Sequence, residues 1–98
     1  MKNLQQDIIQ FVEKRNWTNN QDIRNLAISI NLEASELLEH FQWCNAAEAI
    51  RQEKDEIAEE AADILIYLLQ FAHYADFDLQ EAVKKKLAKN EQRFPIHS

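Results

Sequence analysis

Apolar residues recur at helical spacing along four segments of the chain, and short polar stretches separate these segments. This periodicity predicts four helices, over about 2–15, 20–41, 46–75 and 79–91. Asn45 and Asp78 stand where the third and fourth helices need an N-cap, and Pro95 ends the last helix. The sequence contains no Gly and no Pro other than Pro95, so the turns that hairpins use are missing. An all-α chain is therefore predicted, as a single domain over residues 1–98.

The third helix carries more apolar surface than one small bundle can bury. Six of its residues share one face and are predicted to form the core: Ile57, Ala61, Ile64, Leu65, Leu68 and Ala72. Four further apolar residues lie outside that face: Ala58, Ala62, Ile66 and Leu69. The first half of the helix, residues 48–56, is mostly charged and is expected to face solvent. We therefore predict a four-helix-type bundle that homo-oligomerisation completes with a second helical layer.

Two pairs of carboxylates run beside these apolar faces. Glu33 and Glu36 lie one turn apart on the second helix, and Glu60 and Asp63 lie one turn apart on the third. If the two helices pack antiparallel, the four carboxylates converge. Negative groups within a few ångströms of one another repel by several kcal/mol. A divalent cation that prefers oxygen ligands, Mg²⁺ or Mn²⁺, would remove this repulsion. The alternative is a solvated acidic face with no ligand.

A di-iron centre is a third way to use four carboxylates in a helical bundle. It requires Glu-x-x-His on two helices. His40 follows Leu37 at this spacing and His73 follows Gln70, so neither histidine fits the pattern. Both histidines are interpreted as half-buried or surface residues.

Aromatic and basic residues offer a second set of candidates. Trp17, Trp43 and Tyr67 lie at helix ends or beside the acids, and they either pack in the core or stack on a planar base. Lys86, Asn90 and Arg93 share one side of the fourth helix. They form either a solvated last turn, where cations suit the helix dipole, or a set of phosphate contacts.

Charge and composition exclude several classes of function. The net charge of −6 argues against binding of a nucleic-acid polymer through a basic surface. A single cysteine, Cys44, leaves no internal disulfide and no cysteine metal framework. No apolar run approaches the roughly 20 residues of a membrane span, and no signal peptide precedes the first helix. A soluble cytoplasmic protein with no membrane partner is expected.

Four stretches resemble the MazG-like all-α nucleotide pyrophosphohydrolases, close to the short members of dCTP-pyrophosphatase type. They are Arg15-Asn16-Trp17, NLAISINLEASELLEHFQW (25–43), EEAADILIYLLQFA (59–72) and KLAKNEQRFP (86–95). The sequence departs from the family at Ser35, where a Gly is usual.

The resemblance implies hydrolysis of a nucleoside triphosphate between its α- and β-phosphates, with Mg²⁺ as cofactor. It also implies a homodimer or a tetramer that is a dimer of dimers. The implied metal ligands are Glu33, Glu36, Glu60 and Asp63. The implied base contacts are Trp17, Trp43 and Tyr67, and the implied phosphate and sugar contacts are Lys86, Asn90 and Arg93.

These implications give a first hypothesis of mechanism. The acids hold Mg²⁺ on the triphosphate, and one of them, Glu36 as the first candidate, deprotonates or positions the water that attacks the α-phosphorus. Lys86 or Arg93 then stabilises the leaving pyrophosphate. A deoxynucleotide such as dCTP is the expected substrate, in the sanitation or control of nucleotide pools. The rival hypothesis is a non-catalytic helical interaction module with a solvated acidic face.

Overall fold

The computed structural model describes residues 1–15 and 22–96, and these residues form four α-helices. The helices are α1 (Lys2–Lys14), α2 (Ile23–Glu39), α3 (Ala46–Tyr74) and α4 (Leu79–Arg93). No strand occurs within these two ranges, so the predicted all-α class is confirmed. The predicted start of α2 near residue 20 is wrong. Asp22 is extended and its side chain accepts a hydrogen bond from the backbone N–H of Arg24 at 3.0 Å, which makes it the N-cap.

The two N-caps predicted from the sequence are confirmed. The Asn45 side chain accepts from the N–H of Glu48 at 2.9 Å, and the Asp78 side chain accepts from the N–H of Glu81 at 3.1 Å. Between α3 and α4 the chain turns at Asp76, whose φ of 61° lies in the left-handed region. Aspartate tolerates this region better than most residues, so the connection is made without a glycine.

The core lies where α3 packs against both α2 and α1. The buried apolar side chains come from these three helices: Ile8, Ile9, Val12, Leu26, Ala49, Ile57, Leu69 and Ala72. Two predictions about α3 are wrong, since Ala61 is exposed and Leu69 is only 1% exposed. The reason is that α1 packs on the side of α3 that carries Leu69, and the Gln5 side-chain amide donates to the Leu69 carbonyl oxygen at 2.9 Å.

The first half of α3 is not simply a solvated charged segment, as the sequence had suggested. Ala49 is fully buried, and the helix is kinked at Glu53, where φ is −128° and ψ is 28°. Helix kinks usually occur at Pro, at Gly or Ser, or where a side chain or water disturbs the hydrogen-bond ladder. The sequence near Glu53 contains no Pro, Gly or Ser, so it gave no indication of this kink.

Apolar side chains remain exposed on α2 and α4. On α4 no described residue is buried, and Val83 and Leu87 are 50% and 58% exposed. On α2, Leu32 and Leu38 are 56% and 64% exposed. The radius of gyration is 16.5 Å, whereas a compact domain of 100 residues has about 13 Å. A single chain therefore leaves part of its apolar surface uncovered. None of the described helices is apolar over a stretch sufficient to cross a membrane.

Candidate metal centre

Acids from α2 and α3 meet at one point. Glu33 and Glu36 on α2 and Glu60 on α3 each place a carboxylate oxygen within 4.8 Å of the other two. The convergence predicted from the sequence is therefore seen for three of the four acids. Asp63, one turn further along α3, is exposed and lies outside this group, although its charge raises the pKa of both Glu33 and Glu60. We call Glu33, Glu36 and Glu60 the acid cluster.

The cluster disfavours the charged form of its members. Burial raises the pKa of Glu33 from 4.5 to about 7, and a hydrogen bond and charge repulsion from Glu36 add to this effect. Burial also raises the pKa of Glu60, followed by the same two contributions from Glu36. Each shift has the cause expected when carboxylates share a site from which water is partly excluded. Without an added positive charge, part of the cluster is protonated near neutral pH.

Two oxygens of the cluster have no hydrogen-bond donor. Oε2 of Glu33 and Oε2 of Glu60 are buried, and no donor in the described part of the chain reaches either atom. A buried carboxylate oxygen without a donor is unfavourable unless a proton or a cation compensates it. Carboxylate oxygens, which two helices contribute here, are the ligands that Mg²⁺ and Mn²⁺ prefer. The residues present therefore fit a divalent cation.

The structure adds His40 and Glu53, which the sequence interpretation did not assign to the site. Nδ1 of His40 lies 2.7 Å from Oε2 of Glu53, and Nε2 lies 3.9 Å from Oε1 of Glu60. The hydrogen bond to Glu53 raises the pKa of His40. His40 follows Glu36 by four residues on the acidic side of α2, so its spacing was a usable signal. Glu53 gave no such signal, because it lies in the mostly charged first half of α3, which was expected to face solvent.

The predicted aromatic contacts lie in different surroundings. Trp43, just after α2, is 91% exposed and so is not part of the core. Tyr67 is half-buried on α3 and lines a cavity of about 400 Å³ between α1 and α3, which Asp63 and Gln70 also line. Trp17 lies outside the described residues.

The predicted phosphate contacts all lie on α4. Lys86 and Arg93 are exposed and Asn90 is half-buried. The guanidinium of Arg93 lies 5.3 Å from the centre of the Phe94 ring. The acid cluster consists of residues of α2 and α3 alone, so contact between these α4 residues and a ligand at the cluster stays a prediction.

A comparison with protein families shows to which family the chain belongs. Residues 28–98 match the MazG-like family, which is more than half of the chain. The chain belongs to the MazG-like family. The resemblance noted in the sequence is thereby confirmed. In this MazG-like chain, the matched region contains the acid cluster, Asp63 and α4, whereas α1 and Trp17 precede it.

Curated relatives and a solved structure agree with this membership. The chain is 38% identical to dCTP pyrophosphatase 1 of Rattus norvegicus and 36% identical to dCTP pyrophosphatase 1 of Homo sapiens, each over 93 aligned residues. These alignments cover 90% of this chain and 55% of each relative, so the chain spans about half the length of the curated relatives it matches. A crystal structure of a pyrophosphatase from Archaeoglobus fulgidus DSM 4304 is 40% identical, with a TM-score of 0.91. That match covers 98% of this chain and 93% of the other.

Proposed function

We propose that this MazG-like chain is a Mg²⁺-dependent pyrophosphohydrolase that cleaves a nucleoside triphosphate to the monophosphate and pyrophosphate. The observation that carries the proposal is the acid cluster, in which two buried oxygens receive no hydrogen bond from any residue that the structure describes. The names of the relatives support the reaction type, since they are a dCTP pyrophosphatase and a pyrophosphatase.

Four residues would hold the metal. Glu33, Glu36 and Glu60 already face one another, and Asp63 follows Glu60 by one turn on the same side of α3. When bound, Mg²⁺, or Mn²⁺ in its place, supplies charge neutralisation of the triphosphate and activation of a water molecule. The four acids of this chain orient the substrate by fixing where that positive charge lies.

Glu36 is the residue to which we assign the role of general base. Its side chain is exposed, whereas those of Glu33 and Glu60 are half-buried, so attacking water reaches Glu36 most easily. Glu36 accepts a proton from the water that attacks the α-phosphorus in line, and the bond from that phosphorus to the bridging oxygen breaks to release pyrophosphate. General base catalysis of this kind contributes typically 10²–10⁴-fold in rate.

The nucleoside would bind on the Asp63 side of the cluster. The cavity of about 400 Å³ beside Tyr67 and Asp63 falls in the usual size range of small-molecule sites, about 300–1,000 Å³. Tyr67, which lines this cavity, would provide a stacking surface for the base. Trp43 lies beyond the opposite end of the cluster, after α2, so its exposed ring would contact the base of a nucleotide bound to a neighbouring subunit. Lys86, Asn90 and Arg93 would contact phosphate and sugar oxygens. By analogy with its relatives, the chain would favour a deoxynucleotide such as dCTP.

The active form would be an oligomer, either a homodimer or a tetramer built as a dimer of dimers. The support is the exposed apolar surface of α2 and α4 together with the large radius of gyration. Association of two chains through these faces would cover them and would allow α4 of one chain to approach a cluster in another. We place the activity in the cytoplasm, where it would remove or control free nucleotides.

An assay of pyrophosphate release tests the proposal. The eight common NTPs and dNTPs are each incubated with the protein, with Mg²⁺ and with EDTA. We expect release from at least one triphosphate, only when Mg²⁺ is present, and loss of that release in Glu60→Gln. Glu59→Gln is the matched control, because Glu59 is the exposed neighbour of Glu60 and lies outside the cluster. The absence of release from all eight would favour the non-catalytic interaction module.

A further inference from the structure

His40 lies between two groups of acids. On one side, its ring and the carboxylates of Glu53 and Glu56 place their polar atoms within 4.8 Å of one another. On the other side, its Nε2 lies 3.9 Å from Oε1 of Glu60, a member of the acid cluster. The side chain of His40 is 16% exposed, so little solvent separates it from these neighbours.

Glu53 determines where the ring of His40 lies. The 2.7 Å distance between Nδ1 and Oε2 of Glu53 is that of a short hydrogen bond, which restrains the ring of His40. The opposite edge of the ring carries Nε2 and faces Glu60. The distance of 3.9 Å is too long for a direct hydrogen bond, but it places Nε2 beside Oε1 of Glu60, whose other oxygen, Oε2, is the buried one that no described donor reaches.

The kink in α3 lies at the residue that contacts His40. Glu53 and Glu60 lie on one helix, and His40 is the C-cap residue at the end of α2. The departure from helical dihedral angles occurs at Glu53 itself, the residue that binds His40, in a stretch with no Gly or Pro. The kink and the hydrogen bond to His40 therefore occur at the same residue of α3.

From these relationships we infer that His40 is a positioning residue for Glu60, and that Glu53 holds His40 in place. His40 does not bind the metal or touch the substrate. Its ring keeps the carboxylate of Glu60 directed toward Glu33 and Glu36, as residues around metal ligands commonly do for the ligands themselves. This inference rests on the proposed function, because it assigns a role toward the cation that the acid cluster would bind.

Binding of Mg²⁺ alone, measured by titration calorimetry without nucleotide, is the first test. Loss of such supporting contacts typically weakens metal affinity by about 10–100-fold. We expect a loss in this range for His40→Ala and for Glu53→Ala, and no loss for the control His73→Ala, an exposed histidine outside the site. Melting temperatures in EDTA show whether each variant is folded.

Two further variants separate positioning from a general structural role. His40→Gln, whose amide can donate toward Glu60 from a similar distance, is expected to recover part of the lost affinity. In a Glu60→Gln background, His40→Ala is expected to cause no additional loss, because the residue it positions has already been changed. Equal losses in both backgrounds, or unchanged affinity in His40→Ala, would overturn the inference.

The outcome is distinguishable from failure of the proposed function. If the wild-type protein binds no Mg²⁺ and releases no pyrophosphate, the proposed function fails and the inference about His40 fails with it. If the wild-type protein does both and His40→Ala does both equally well, only the inference about His40 is wrong.

Discussion

Glu33 on α2 and Glu60 on α3 each bury one carboxylate oxygen that receives no hydrogen bond from residues 1–15 or 22–96, and both residues belong to one cluster of acids. An unfolded chain would hydrate both oxygens, so folding without a compensating charge carries an energetic cost at this point. Natural proteins retain such costs mainly at functional sites. The relationship between these two residues is therefore the physical basis of the metal site proposed for this chain.

The first prediction concerns thermal stability. In EDTA, Glu60→Gln should melt at the same temperature as the wild-type protein or higher, because it removes a carboxylate that its neighbours disfavour. Mg²⁺ at 100 times its Kd should stabilise the wild-type protein by about 2.7 kcal/mol, and Glu60→Gln by much less. Differential scanning calorimetry at a fixed protein concentration measures both effects. Glu59→Gln should behave as wild type, and a clear drop in melting temperature for Glu60→Gln in EDTA would count against the electrostatic argument.

The second prediction concerns pH. Burial in the folded state raises the pKa of Glu33 from 4.5 to about 7. Between pH 4.5 and about 7, the folded state therefore retains a proton that the unfolded state releases. The contribution of Glu33 to metal-free stability is fully present below pH 4.5 and is lost as the pH rises through about 7. The raised pKa of His40 acts in the same direction, with a contribution present below pH 6.5 and lost at higher pH.

Urea denaturation in EDTA between pH 4.5 and 7.5 checks this prediction. The free energy of unfolding should fall with rising pH, and it should fall less steeply in Glu33→Gln. Glu39→Gln, an exposed glutamate on the same helix, provides the control. Parallel pH profiles for the wild-type protein and Glu33→Gln would show that Glu33 titrates normally.

The third prediction concerns Trp43. Because this side chain is 91% exposed, Trp43→Ala should change the free energy of unfolding by no more than about 0.5 kcal/mol. Stacking on a base contributes about 1–3 kcal/mol, so the same variant should weaken nucleotide binding by roughly 5- to 150-fold. Trp43→Phe should lose less. Steady-state kinetics of pyrophosphate release gives the comparison, and an unchanged KM in Trp43→Ala would exclude Trp43 from the nucleotide site.

The fourth prediction concerns assembly. Val83 and Leu87 form the apolar side of α4, and both are at least half exposed in the single chain. If a second chain covers them, the pair of substitutions Val83→Asp and Leu87→Asp should lower the molar mass measured by light scattering after size-exclusion chromatography. The control is Lys85→Asp on the same helix. A double variant with the molar mass of the wild-type protein would show that the interface lies elsewhere. A monomeric wild-type protein would show that the chain forms no such interface.

The sequence was sufficient to predict the helices and the two N-caps of α3 and α4. Helical periodicity and capping residues are local signals, so Asn45 and Asp78 could be assigned without tertiary information. The core face of α3 could not be assigned in the same way. Leu69 is buried because α1 packs there, and the angle at which two helices pack is not encoded in the spacing of either helix.

The residues of the candidate site were likewise predicted only in part from the sequence. Glu33, Glu36 and Glu60 could be predicted because each lies beside an apolar face, and apolar faces of two helices pack together. The contact of His40 with Glu53 was not predicted, because residues 48–56 are mostly charged and no apolar face beside Glu53 marked it as part of the interface between α2 and α3. Trp43 could be named as a candidate from the sequence, but its exposure had to be measured in three dimensions.

The proposed function of this chain requires that the acid cluster binds a divalent cation. Isothermal titration of Mg²⁺ into the wild-type protein, Glu36→Gln, Glu60→Gln and the control Glu59→Gln measures this. We expect saturable binding to the wild-type protein and to Glu59→Gln, and at least about tenfold weaker binding to the two cluster variants. The absence of saturable binding to the wild-type protein, or equal affinity in all four proteins, would contradict the proposed function.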